Sequence, residues 1–169
     1  INNDKVDQNL KLNTEITLSN ICYTYPGSSH RALKDINLDI PSGSRIGLVG
    51  TTGSGKTTLV DVILGLLEVE KGILSVDGIM LSNSNLRSWQ NSVGYVPQDI
   101  YLADDTLEAN ITFGIDPKDV DQDLVVRASK IANLHQFVIN ELPEKYQTLI
   151  GERGVRLSGG QRQRIGIAR

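Results

Sequence analysis

Apolar and polar residues alternate over 15–25 (EITLSNICYTY) and again over 32–40 (ALKDINLDI), the pattern of strands with one buried face. The turn chemistry of PGSSH (26–30) separates them, and PSGS (41–44) closes the second. RIGLVG (45–50) does not alternate; a short apolar run of this kind predicts a strand buried on both faces. The glycine-rich TTGSG follows, and then KTTLVDVILGLLE (56–68) at helical spacing. GILSVDGIML (72–81) has strand periodicity broken at Asp77-Gly78, a hairpin signal. SNLRSWQNS (84–92) predicts a short helix, and VGYVPQD (93–99) a second buried strand that ends at Pro97. From 105 to 142 the pattern is helical, with Leu124, Val125, Ala128, Ile131 and Ala132 predicted on one buried face. Residues 1–13 are polar and predict a solvated tail or linker. The order of elements argues for an α/β or mixed domain with a helical insertion.

Composition narrows the function classes. With 169 residues the chain suits one domain, and a 39% hydrophobic content is enough for a packed core. A net charge of −3 leaves no broad basic footprint for nucleic acid, so any bound anion must be held by a local site. The single cysteine, Cys22, lies in an alternating stretch and reads as a small buried residue. His30 and His135 are far apart and have no cysteine or second histidine nearby, which argues against zinc. The longest apolar segment, LVDVILGLL (59–67), is broken by Asp61 and Gly65 and is too short to span a membrane. The polar start has no hydrophobic leader, so the expectation is an intracellular, soluble domain.

GTTGSGKT (50–57) matches G-x-x-x-x-G-K-[ST], with a predicted strand before it and a helix after it. Gly50, Thr51, Thr52, Gly53, Ser54 and Gly55 can wrap backbone N–H groups around a phosphate, and the helix start adds its positive end. Lys56 brings a full charge to the β and γ phosphates. Thr57 can ligate Mg²⁺, and Thr58 can reach another phosphate oxygen. The motif points to a nucleoside triphosphate, and the absence of an N-K-x-D sequence argues against a GTPase. Near the other end, Ser158, Gly159, Gly160 and Gln161 open a helical pattern, with Ser158 as a good N-cap. This is a second candidate anion-binding helix start.

LSGGQRQRIGIAR (157–169), placed downstream of a phosphate loop, closely resembles the signature segment of ATP-binding cassette (ABC) proteins. Further stretches resemble the exporter type of that family. Tyr25 in YTYPG matches the aromatic residue that stacks on adenine. Gln98 in YVPQD matches the glutamine that contacts Mg²⁺ and the attacking water and couples to the transport domains. TLIGERG (148–154), with Glu152, matches a loop that touches the membrane domains. The resemblance implies a P-loop NTPase α/β core with an antiparallel β subdomain and a helical subdomain at about 99–160, the ATP-binding part spanning 14–169. It further implies head-to-tail pairing with a second such domain, identical or related. In that pair Ser158, Gly159, Gly160 and Gln161 would meet the γ-phosphate held by the partner's loop. Lys56, Gln98 and Ser158 would carry the chemistry, Thr57 and Gln98 would hold Mg²⁺, and hydrolysis would drive transport from the cytoplasmic face of a membrane.

The family places its acidic strand, general base and switch histidine after the signature, beyond Arg169, so the expectation is a piece of a longer chain with an incomplete core sheet and no assignable base. IYLADD (100–105) is the one acidic run that could substitute, and Asp104 and Asp105 read instead as exposed acids near a helix start. The alternatives weighed are a soluble, non-transport cassette ATPase and a P-loop phosphotransferase that uses IYLADD as its acidic strand. The second leaves LSGGQ unexplained. A pure binding module is a further alternative for the chain taken alone.

Overall fold

The computed structural model describes residues 10–151 and 155–169. The chain divides into two compact units, up to Gly94 and from Tyr95 onward.

In the first unit β1 (Glu15–Thr24), β2 (Arg31–Pro41), β3 (Lys71–Val76) and β4 (Ile79–Met80) form an antiparallel sheet in the order β2-β1-β3-β4. The alternation of β1 buries Ile16 and Leu18. Asn20, at φ 52°, then breaks the register, and Ile21, Cys22 and Tyr23 are buried in succession. Cys22 is buried as expected, its Sγ 3.4 Å from both the N–H and Oδ1 of Asp35. Asp77 and Gly78 have φ of 51° and 76°, the two left-handed positions of a tight hairpin turn, which bears out that signal.

Two short helices complete this unit. Helix α1 (Lys56–Ile63) packs Leu59 and Val62 into the same core as β1 and β3. It stops short of the predicted 68 because Gly65, at φ 69°, turns the chain left-handed. The N–H of Leu66 then reaches Asp61 O at 2.8 Å and that of Gly65 reaches Val62 O at 2.9 Å. A Cβ on Gly65 would strike Leu86 Cδ1. Helix α2 (Leu86–Gln90) supplies the remaining donors. Trp89, 1% exposed, gives its indole N–H to Ile63 O at 2.8 Å, and Gln90 Nε2 donates to Gly65 O at 3.0 Å.

Two expectations fail here. Residues 45–50 and 93–96 join no strand among the described residues, and Val49 is 98% exposed. An apolar run becomes a buried strand only when chain lies on both sides of it to pair its N–H and C=O groups. Among the described residues no strand pairs with either run, and both sheets are antiparallel. The predicted tail, 1–13, lies outside the described residues up to residue 9, and of its described part Lys11 and Asn13 are exposed but Leu10 is not. Leu10 is 3% exposed in the core, and its N–H donates to Ser88 Oγ at 2.7 Å.

In the second unit a two-stranded pair, β5 (Asp105–Thr106) and β6 (Leu149–Ile150), accompanies four helices. These are α3 (Leu107–Ile111), α4 (Gln122–Ile131), α5 (His135–Glu141) and α6 (Gly159–Ala168), around a core that includes Leu107, Val125, Leu134, Val138, Ile150 and Ile165. Thr106 caps α3 by accepting from Ala109 N–H at 3.0 Å, and Asp121 caps α4 through the N–H groups of Asp123 and Leu124. The buried face of α4 is the predicted one in part: Val125 and Ala132 are buried and Ala128 packs against the core, but Ser129 is buried too, whereas Leu124 is 59% and Ile131 71% exposed. The seam follows an i, i+4, i+7 row, which Ser129 completes and Leu124 and Ile131 flank. No helix among the described residues is long and apolar enough to cross a membrane.

The carboxylate of Asp77 accepts four hydrogen bonds at 2.7–3.1 Å, from the N–H groups of Asn13, Thr14 and Glu15 and the side chain of Asn13. These donors, led by Glu15 N–H, hold its pKa down at about 2. A depressed carboxylate contributes stability that is complete above its unfolded pKa and is lost as pH falls toward the folded one. Urea denaturation should therefore show stability declining from pH 4 to 2, and Asp77→Asn should flatten that decline and lower stability at pH 7.

Candidate functional site

The glycine-rich loop reaches α1 through Gly55. This residue has φ 87° and provides no side-chain cap, and no acidic residue stands in the first turn of the helix. A Cβ at Gly55 would lie 2.5 Å from Ala32 O and 3.1 Å from Leu33 Cδ2, so both the backbone angle and the space demand glycine. At the start of the loop a Cβ on Gly50 would lie 2.6 Å from Ser54 Oγ. The helix therefore opens with bare N–H groups and its positive end unneutralised, which is a chemically sound donor set for phosphate oxygens. Lys56 folds back over the loop, its Nζ donating to Gly50 O at 2.9 Å, Thr51 O at 2.7 Å and Ser54 Oγ at 3.3 Å. Thr57 is exposed beside it.

The structure brings Tyr25 to this loop. Its hydroxyl lies 3.0 Å from Thr58 Oγ1, and its ring meets Tyr23 edge-on with centroids 5.1 Å apart. Tyr25 is 43% exposed, enough to offer a ring face. Thr58 is buried, and its hydroxyl faces Tyr25.

Gln98 and residues 158–161 lie in the second unit. Ser158 caps α6, accepting from Gln161 N–H at 3.2 Å, while Gln161 Oε1 accepts the Ser158 N–H at 2.7 Å. This reciprocal pair gives Gln161 a role in positioning the helix start that the resemblance did not supply, although S-x-x-Q is the sequence sign of such a box. Gly159 and Gly160 are exposed, and a Cβ on either would meet nothing within 4 Å. Among the described residues nothing close by requires glycine there. Gln98, also exposed, lines a depression of about 350 Å³ with Asp99, Ile100, Gly159, Arg162 and Gln163. Glu152 lies outside the described residues. Asp104 and Asp105 are exposed just before α3; residues 100–103 form no strand, and Asp105 only opens the two-residue strand β5 paired with β6, so the apolar run IYLA does not become a strand ending in the two acids.

Comparison with known proteins agrees with this geometry. The sequence model of the ABC transporter family matches residues 33–169. An ATP-dependent lipid A-core flippase of Methylobacillus flagellatus is 42% identical over 154 residues, covering 91% of this chain and 26% of that protein. A Bacillus subtilis protein, provisionally named a multidrug export ATP-binding/permease protein, is 40% identical over the same length and shares. The ATP-bound structure of a bacterial Atm1-family ABC exporter superposes with a TM-score of 0.82 at 32% identity, covering 94% of this chain and 28% of that one. The chain belongs to the ABC transporter family, as an ATP-binding domain of its exporter type, and spans about a quarter of the length of these relatives.

Gly55→Ala should destabilise the first unit by about 1–3 kcal/mol, because it forces both a left-handed alanine and a clash with a main-chain carbonyl. The urea midpoint measures this.

Proposed function

We propose that residues 14–169 are the N-terminal part of a domain that binds Mg²⁺ and ATP, and that the full-length protein hydrolyses ATP to drive export across a membrane. The observation that carries this reading is the uncapped, glycine-built start of α1 with Tyr25 fixed beside it. The loop N–H groups and Lys56 hold the phosphates, Lys56 exchanging the neutral carbonyls of Gly50 and Thr51 for charged oxygens. The Tyr25 ring stacks on the base. The Thr57 hydroxyl and Gln98 are the groups that would hold Mg²⁺, which supplies charge neutralisation on the phosphates.

Two such domains pair head to tail, each offering the capped start of its α6 to the nucleotide of the other. The open surroundings of Gly159 and Gly160 support this, since among the described residues nothing crowds their bare backbone and a group from outside could approach it. Residues at about 99–160 serve as the helical subdomain, and the regions of Gln98 and Glu152 face the transmembrane domains. The domain works at the cytoplasmic face. The general base is contributed from outside these residues, in keeping with the exposed positions of Asp104 and Asp105.

In the full-length protein Lys56→Ala should weaken ATP binding by at least about tenfold. Ser158→Arg should leave ATP binding by the separated domain unchanged and block turnover; intact turnover would refute the role assigned to α6. Equilibrium nucleotide binding should also separate two variants of Tyr25. Tyr25→Ala loses about tenfold, whereas Tyr25→Phe, which keeps the ring and loses only the Thr58 bond, stays within about threefold.

A further inference from the structure

The segment 95–103 that carries Gln98 belongs to no helix or strand, and among the described residues its backbone is tied largely by side chains of two helices of the same unit. Asn110 of α3 is fully buried. Its Oδ1 accepts Ala103 N–H at 2.9 Å, and its Nδ2 donates to Ala103 O and Thr106 O at 3.0 Å each. Arg169, at the end of α6, spreads its guanidinium between two main-chain carbonyls. Nη2 donates to Tyr101 O at 3.1 Å and Nε to Asn110 O at 2.9 Å. The same group lies 5.0 Å above the ring of Phe113. One turn earlier, Gly166 turns a bare Cα to the residues on either side of Gln98: a Cβ there would lie 2.5 Å from Ile100 Cδ1 and 3.4 Å from Val96 Cγ1.

An arginine that merely finished a helix would bond the last carbonyls of its own helix. This one reaches carbonyls 59 and 68 residues earlier in the chain. Helix α6 is a short rigid rod, about 15 Å long. It is gripped near its C-terminal end by Arg169 and Gly166, and its other end carries Ser158 and Gly159 on the surface.

We propose that Arg169 is a positioning residue that binds α6 to the stem of Gln98, so that a displacement of Gln98 is carried along the helix to Ser158. The inference rests on the function proposed above. The planar fork is what the arrangement needs, because two carbonyls on different segments are held by one rigid charged group.

The test uses the full-length protein with Mg²⁺ and ATP, its sites counted by equilibrium ATP binding. For Arg169→Gln, kcat per binding site should fall about tenfold while KM stays within about twofold. Arg169→Lys, which keeps a cation over Phe113 but cannot span both carbonyls, should recover part of the loss. A merely structural role would reduce the number of binding sites and leave kcat per site at the wild-type value. That outcome overturns the proposal, as does a raised KM at constant kcat. If Arg169→Gln fails to accumulate, Phe113→Leu takes its place: a fall of about threefold in kcat per site supports the proposal and no change overturns it. Ser158→Arg separates the two levels. If it leaves turnover intact, the proposed function itself fails; if it blocks turnover while Arg169→Gln has no effect, only this inference fails.

Discussion

The bare Cα of Gly55 lies under the Ala32 carbonyl, and that contact fixes where α1 begins against β2. The rest of the first unit is referred to this point. A helix that starts one residue earlier or later would rotate Leu59 and Val62 away from β1 and β3. It would also carry Thr58 out of reach of Tyr25, and the ring beside the loop would lose its anchor. The far end is fixed independently, by the left-handed turn at Gly65 and the Trp89 indole on Ile63 O. A short helix pinned at both ends can leave its first N–H groups free, because its stability comes from packing rather than from a cap.

The second unit solves the opposite problem. Helix α6 also opens toward solvent, but Ser158 and Gln161 satisfy each other's backbone N–H groups before anything else arrives. What approaches that start meets a rigid, preformed surface. The unit's irregular stretch, residues 95–103, is held from beneath by the amide of Asn110 and the fork of Arg169. The buried amide of Asn110, paired at both its oxygen and its nitrogen, favours a single arrangement, because a slip leaves a donor or carbonyl without a partner.

The sequence revealed those features whose cause is local. The phosphate loop and the Ser158 cap depend on residue type at fixed spacing along a few residues, and both were legible. So was the Asp77-Gly78 turn. What escaped depended on distant chain. Residues 45–50 have the composition of a buried strand, yet burial is conferred by neighbours, and none of the described residues pairs with them as a strand. On α4 the pattern places Val125, Ala128 and Ala132 correctly but is too wide, because Leu124 and Ile131 are apolar yet exposed while the small polar Ser129 occupies the seam. Leu10 sits in a polar stretch and is drawn inside by Ser88, a contact that no local pattern announces. The Tyr25–Thr58 bond likewise joins residues 33 positions apart in the chain.

The chain has a single tryptophan. Trp89 is almost wholly shielded, and its indole N–H is bound to the last carbonyl of α1. Its emission therefore reports on one place, the junction where α1 ends against α2. Should α1 slide or tilt when its opposite end takes up an anion, that hydrogen bond lengthens and the indole meets water, shifting its fluorescence to the red. The fold thus contains an optical gauge of its own helix, built from native side chains and requiring no label.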